Sequence, residues 1–391
     1  MLICILGRQP GLSLAELESA IGPESVQPVG SGCAIVTCDP AKLLQQELGG
    51  TMKIADVIAT IHSLRWIRLF STSRDKIVRY MVGIAEGTDR KLKFGLSVYG
   101  LPISPRQVSA LSFAIKKTIK AKGYPVHASL SEELALNSAT VLHNGLTSRL
   151  GSEFLLIAGQ EETYLARTIS VQDIERYSKR DFGRPRRDTR VGMLPPKLAQ
   201  MMLNLAKVSP DRTVLDPFCG TGVVLMEAAL KHAKIMGSDI DPKMVEYTRD
   251  NLDWLSKEHG IGIDTQELAC ADATTHKWSK HLDCVVSETY LGKPLSYQPK
   301  SESLNAIVNE CDALVTKFLT NLRPQLSPES RCCIAVPAWA SPHGLVHLPV
   351  VGRLESLGYN RVGFSHASPD QLVYRRSDQI VARELLVLTP K

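Results

Sequence analysis

The chain has 391 residues, enough for two or three domains with sizeable cores, and its 44% apolar and 22% charged content is that of a water-soluble globular protein. Its net charge of +6 is unevenly spread, with thirteen Lys/Arg against Asp75, Glu86 and Asp89 between His62 and Lys122, so one module is strongly basic and the remainder is mildly acidic. The longest uncharged stretch, Cys332 to Gly352, is broken by Pro337, Pro342 and Pro349, which excludes it as a membrane span; nine scattered cysteines without a C-x-x-C pair read as reduced thiols with no metal site, and the short Leu2–Leu6 run meeting Arg8 is too short for a signal peptide, so a cytoplasmic location is expected.

In chain order, Leu2 to Leu6 reads as a strand, and Ser13 followed by Glu16 as a capping box opening a helix. Cys33 to Cys38 is a second strand, and Pro40-Ala41 opens a second helix. A small α/β domain ending near Asp56 is expected. Ile58 to Leu64 and Arg68 to Ser71 read as strands, Asp75 to Glu86 as a helix, and Lys93 to Val98 as a strand. Pro105 to Lys122 is a long basic helix on which Lys116 and Lys120 share a face beside Lys117. Strands at Pro125 to His127 and at Phe154 to Ile157 flank a helix from Ser138 to Thr147. Ile174 to Arg190 is a basic connector containing Arg184, Arg186 and Arg187, suited either to lie along a polyanion or merely to be solvated.

The second half is organised around Val214-Leu215-Asp216-Pro217-Phe218-Cys219-Gly220-Thr221-Gly222. A short strand ends in a carboxylate, and glycines turn the chain into a helix over Val223 to Lys231, where a ligand can approach the backbone closely. A dinucleotide turn wants G-x-G-x-x-G, but the third position is Leu225. Beyond it, strands at Lys234 to Ser238, Leu268 to Ala271, Cys284 to Ser287 and Arg331 to Val336 alternate with helices at Pro242 to His259 and Gly352 to Leu357. This is the order of a doubly wound sheet, closed by a hairpin of Gln371 to Tyr374 with Leu385 to Leu388. Asp216, Asp239 and Asp272 each end a successive strand. Asp241 rivals Asp239, although N-capping the next helix is its simpler role. Cys219 has no His partner in sequence and reads as packing.

Three stretches carry a resemblance. Phe94 to Gly100 with Leu136 to Asn144 resembles a THUMP domain, an RNA-binding module commonly preceded by a ferredoxin-like domain. The D-P-F-C-G-T-G turn resembles the S-adenosylmethionine loop of class I methyltransferases acting on exocyclic amines, and Tyr177 to Ala206, including Gly192 to Gln200, resembles the archaeal-type THUMP tRNA guanosine-N2 methyltransferases. The fold this implies is α/β, with a ferredoxin-like part at 1–56 and a THUMP α+β RNA-binding part at 57–170. A basic linker at 171–190 and a Rossmann-like class I methyltransferase domain at 191–391 complete it. The implied activity is S-adenosylmethionine-dependent methylation of a guanosine N2 in tRNA, at position 10. The alternatives are another RNA or DNA amine, or an RNA-binding protein whose methyltransferase domain no longer turns over.

The resemblance also implies roles. Leu194, Pro195, Asp216, Pro217, Phe218, Gly220, Gly222, Asp239 and Asp272 would hold S-adenosylmethionine. From their charge rather than from the resemblance, Lys116, Lys117 and Lys120 on the basic helix and Arg184, Arg186 and Arg187 in the connector are expected to contact RNA, with no metal required. Where the family carries D/N-P-P-Y, this chain has Ser287-Glu288-Thr289-Tyr290-Leu291-Gly292. Glu288 can still accept an N–H from the target amine and Tyr290 can stack on an extruded base, while loss of the proline is expected to loosen the backbone that presents a carbonyl. Lys293 and the loop to Lys300 would hold the flipped nucleotide. The expected partners are tRNA and, as for some relatives, a small zinc-binding activator subunit, the protein being otherwise a monomer.

Overall fold

The computed structural model describes the chain except residues 31, 189–192, 279–280, 296 and 377–378 and the side chain of residue 42. Backbone contacts divide it into two compact units. The first comprises Met1–Pro10, Glu24–Glu47 and Thr51–Ile174; the second comprises Gly11–Pro23, Leu48–Gly50 and Glu175–Lys391.

Unit one is built on an eight-stranded sheet. Its strands are β1 (Leu2–Leu6), β2 (Val26–Pro28), β3 (Cys33–Val36), β4 (Thr51–Ile61), β5 (Leu92–Tyr99), β6 (Val126–Ser129), β7 (Gly151–Ala158) and β8 (Thr163–Val171), in the order β2-β3-β1-β4-β8-β7-β5-β6. Period-2 alternation assigns the two faces. Phe154 and Leu156 of β7 pack with α2 (Trp66–Ala85) and α3 (Pro105–Ala121), while Leu155 and Ile157 pack with Ile3, Ile5 and Ala55 on the other face. The boundary expected at Asp56 falls inside β4, which pairs with β1 on one edge and β8 on the other. A strand bonded on both edges cannot be a linker, so the 1–56 and 57–170 segments share one sheet. Arg68 to Ser71, read as a strand, lies within α2, whose buried residues Leu69, Ser73, Ile77 and Met81 recur at the helical period. Pro40–Lys42 is only a 3₁₀ turn capped by Asp39, and α4 (Ser138–His143) ends short of the expected Thr147.

The first helix, α1 (Pro10–Ile21), belongs almost wholly to unit two. It starts at Pro10, so Ser13 and Glu16 are not its cap. Ser13 Oγ donates to the Gly50 carbonyl at 2.9 Å, and the Glu16 carboxylate accepts the Gly49 and Gly50 N–H groups at 2.8 Å and Asn204 Nδ2 at 2.7 Å. Burial pushes the Glu16 carboxyl up to about 6 against those three donors.

Unit two is a doubly wound α/β fold. The basic connector contains α5 (Ile174–Phe182), and α6 (Pro196–Leu205) leads to β9 (Thr213–Asp216), α7 (Val223–Leu230), β10 (Lys234–Asp239), α8 (Pro242–His259), β11 (Leu268–Cys270) and β12 (Cys284–Glu288). A long α9 (Ser301–Leu322), not anticipated from the sequence, precedes β13 (Arg331–Ser341), β14 (Gly344–Val346), β15 (Tyr359–Arg361), β16 (Val373–Tyr374) and β17 (Val381–Pro390). Gly352 to Leu357 forms no regular α-helix, because Pro349–Arg353 closes as a 3₁₀ turn. The nine-stranded sheet runs β11-β10-β9-β12-β13-β17-β15, with β14 on β13 and β16 on β17. The expected closing hairpin is only partly formed: Val373 and Tyr374 pair with Glu384 and Arg383, whereas Leu385–Leu388 lie antiparallel to β13, which pairs with β17 along eight residue pairs. Cys332, Ile334 and Val336 face α9, whereas Cys333 and Ala335 face the core shared with α6 and α7. Strand order reverses between β9 and β12, the place where ligands bind in open α/β sheets.

Candidate active site

At that switch point, above the carboxyl ends of β9, β10 and β12, lies a cavity of about 320 Å³. It is lined by Leu194, Asp216, Phe218, Gly220, Asp239, Ile240, Met244, Glu288, Thr289, Tyr290 and Leu314, among others. The size is that of a small-molecule site, and the mixture of apolar wall and a few carboxylates suits an amphipathic ligand.

The turn after β9 is held open by geometry that only glycine accommodates cheaply. Gly220 has φ +50° and Gly222 φ +82°, and a Cβ on Gly222 would stand 3.0 Å from the Thr248 side chain. Thr248 Oγ1 donates to the Gly220 carbonyl at 2.9 Å and Asn251 Nδ2 to the Thr221 carbonyl at 2.8 Å, so α8 fastens the loop from behind. Asp239 fastens it from β10: Oδ2 accepts the Gly220 N–H at 2.9 Å and Oδ1 accepts the Asp241 N–H at 3.0 Å. With the Ile240 N–H also lying close to it, the carboxylate still retains acceptor capacity for a ligand hydroxyl. Asp241 caps α8 through the Lys243 N–H at 2.9 Å, the simpler of its two roles, although it also borders the cavity.

Asp216 is 2% exposed. Its Oδ1 accepts Ser287 Oγ–H at 2.6 Å and the Phe218 N–H at 3.2 Å. Burial pushes its carboxyl up to about 7 against those donors, with the Asp239 and Glu288 charges adding to the rise. Among the described residues no cation is paired with it. The Cys219 thiol beside it is pushed upward by burial and is no nucleophile.

Glu288 ends β12, and its Oε1 is ion-paired with Nε of the buried Arg383 on β17. Thr289 is not loose: its N–H donates to the Ala335 carbonyl at 2.9 Å and its Oγ1 donates to the same oxygen at 3.1 Å. The expected loosening is therefore corrected, because threonine supplies here the ladder donor that proline lacks. Tyr290 packs on the α9 face, and Gly292 turns the chain at φ +85°, where a Cβ would meet Ile307 at 3.0 Å.

Of the sequence-derived cofactor set, Leu194, Asp216, Phe218, Gly220 and Asp239 are brought together on the cavity wall, with Glu288 and Tyr290 opposite the loop. Pro217 and Gly222 shape the turn without lining it, and Pro195 is the N-cap of α6. Asp272 stands outside the lining. It is exposed and bonds the Thr274 N–H at 2.8 Å and hydroxyl at 2.7 Å, which hold its carboxyl below the usual range. Ile240, Met244, Leu314 and Arg383 were not found from sequence. An Arg-Glu pair inside the apolar β17 run was the available signal for Arg383.

The basic residues divide as well. Lys117 and Lys120 are exposed on α3 and Lys116 is half-buried; among the described residues none of the three is ion-paired. Arg184 is removed from an interface by its burial: its Nη1 donates to the Arg180 carbonyl at 3.1 Å, and its side chain has no exposed surface. Arg186 is ion-paired to Asp250 at 2.6 Å, and Arg187 stacks on Phe182 at 4.9 Å. Arg190 and Gly192 lie outside the described residues, as does Ser296 in the Lys293 to Lys300 loop. Among the described residues no helix is long and apolar enough to cross a membrane.

Residues 184–346 match the family model described as "UPF0020: RMKL-like, methyltransferase domain". The chain is 32% identical over 155 residues to the tRNA (guanine(10)-N2)-dimethyltransferase of Methanothermobacter thermautotrophicus, covering 40% of this chain and 42% of that one. It is 30% identical over 169 residues to the enzyme of the same name from Pyrococcus abyssi, covering 42% and 44%. The chain thus spans less than half the length of these relatives. Among solved structures, TrmN from Thermus thermophilus matches with a TM-score of 0.54 at 17% identity, over 100% of this chain and 99% of that one. A putative methyltransferase complexed with SAH matches at 0.51 and 13%, over 100% and 98%. At those identities the likeness shows the fold alone, and the doubly wound sheet of unit two is Rossmann-like.

Proposed function

We propose that this protein transfers a methyl group from S-adenosylmethionine to the exocyclic N2 of a guanosine in tRNA, at position 10. The observation that carries the proposal is the convergence of the glycine turn, Asp216, Asp239, Glu288 and Tyr290 on one cavity at the switch point, within the segment that is similar to methyltransferases.

The residues fit the cofactor. Asp239 has lone-pair capacity for a ribose hydroxyl, Asp216 is a buried carboxyl with no paired cation among the described residues and suits the amino-acid ammonium, and Phe218, Ile240 and Met244 offer apolar surface to an adenine. Bound there, S-adenosylmethionine supplies an electrophilic sulfonium methyl group, the carbon–sulfur pair leaving with sulfur as the carbon–nitrogen bond forms. The protein's own task is orientation. The guanine amine is a weak nucleophile, since its lone pair is delocalised into the ring. Glu288 accepts one of its N–H bonds, and the proton released on transfer passes to water. Tyr290 stacks on the extruded base, and the site gains rate by holding nitrogen in line with the methyl group. Unit one, through Lys117 and Lys120 on α3, supplies phosphate contacts that position RNA without reading sequence. These contacts are the work proposed for its ferredoxin-like and THUMP parts. A small zinc-binding activator and an otherwise monomeric state complete the proposal.

Modified-nucleoside mass spectrometry of tRNA from cells with and without the gene tests it. N2-methylated guanosine at position 10 should disappear with the gene; its persistence would refute the assignment. The capture of Glu288 by Arg383 favours one rival, a tRNA-binding protein that no longer turns over. That rival predicts unchanged nucleosides together with retained tRNA binding.

A further inference from the structure

Arg383 is 6% exposed and sits on β17, two strands away from Glu288. Glu288 lies opposite Ala335 on β13, and Arg383 lies opposite Pro337 on the same strand. Cross-strand partners share a face, so Glu288, Ala335 and Arg383 lie on one side of the sheet. Ala335 has no side chain beyond Cβ, which leaves the diagonal open for the guanidinium to reach the carboxylate. Only Oε1 is taken. Oε2 accepts no hydrogen bond among the described residues, and Glu288 borders the cavity.

A buried ion pair is a poor source of stability, because desolvation offsets most of its attraction; an apolar pair of like volume often does as well. Its usefulness lies in fixing geometry. A glutamate at a strand end has three side-chain torsions and loses conformational freedom only when something holds it. A planar guanidinium fixed in a strand does so.

We propose that Arg383 is a positioning residue for the transfer reaction: it clamps Oε1 of Glu288 so that Oε2 is presented to the amine. The inference rests on the methyl-transfer reading above. It also accounts for a glutamate in place of the shorter acid, since the longer side chain spans from β12 toward both the clamp and the cavity.

The test is single-turnover methylation of an unmodified tRNA transcript by the full chain with saturating S-adenosylmethionine, alongside calorimetric cofactor affinity and tRNA affinity. Arg383→Met should slow transfer about 100-fold, the scale of a misplaced reacting group, while both affinities change by less than about twofold. Arg383→Lys should recover about tenfold of that loss by restoring the charge. Because Arg383→Met strands a partly buried carboxylate and threatens folding, the double variant Arg383→Met with Glu288→Gln removes both charges. It should be no slower than Glu288→Gln alone, as Arg383 acts only through Glu288. Additive losses, a loss confined to cofactor affinity, or a wild-type rate in Arg383→Met would each overturn the positioning role while leaving methyl transfer standing. A wild-type protein that transfers no methyl group would fell the functional reading itself, and the positioning role with it.

Discussion

Thr289 occupies the place where the resembled motif has proline, and its two bonds to the Ala335 carbonyl reverse what the substitution implied. Thr289→Pro, far from restoring a rigid motif, removes a buried ladder donor and a hydroxyl bond. It should lower stability by about 1–3 kcal/mol, read as a fall in urea midpoint at unchanged slope. An unchanged midpoint would mean that those bonds contribute nothing. Asp216 gives a pH test. Its folded value, about 7, lies above the ordinary 3.8, so the folded chain retains a proton the unfolded chain has lost. The resulting stability is fully present below about pH 4 and disappears as pH rises through 7, by up to about 4 kcal/mol. Asp216→Asn keeps acceptors for Ser287 and Phe218 and should flatten that part of the stability–pH curve. The same slope in the variant would assign it elsewhere. Neither the Thr289 bonds nor the Asp216 environment is readable from sequence, because each depends on what a neighbouring strand presents.

Among the elements, those whose partners lie in their own pattern were legible. The glycine turn, β9, β10, α8 and the basic α3 come from local signals: paired glycines, apolar alternation, an Asp241 cap and a proline opening the basic helix. The signal for α9 was also present, in Leu304, Val308, Cys311, Val315 and Phe318 at helical spacing, and went unread. The allegiance of α1 was not legible at all. Its Glu16 and Glu18 are satisfied by Asn204 and by the Ser365 and His366 N–H groups, hundreds of residues away in sequence. Glu16→Ala leaves Gly49, Gly50 and Asn204 donors buried without an acceptor. It should destabilise unit two by about 2–4 kcal/mol, measured by hydrogen exchange at α6. Unaltered α6 protection would show that α1 is held by its apolar contacts alone.

Across the whole molecule, charge and chemistry are divided between two units, a basic one built on the eight-stranded sheet and a Rossmann-like one that holds the cavity. The linker arginines proved less available than their sequence implied, since Arg184 is buried and Arg186 is paired. Under the proposed function, RNA attraction would therefore fall chiefly to α3. Lys117→Ala with Lys120→Ala in the full chain should shallow the dependence of tRNA affinity on log salt by about two contacts' worth, a slope change of roughly 1.5–2. An unaltered slope would place the phosphates elsewhere. The central claim, that the cavity carries out methylation of a tRNA guanosine amine, is met most directly by incubating the purified chain with S-adenosylmethionine labelled in its methyl group and an unmodified tRNA transcript, then identifying the labelled nucleoside. The account predicts label in N2-methylated guanosine at position 10 and none in a transcript carrying adenosine there. Label in another nucleoside, or equal labelling of both transcripts, would contradict it.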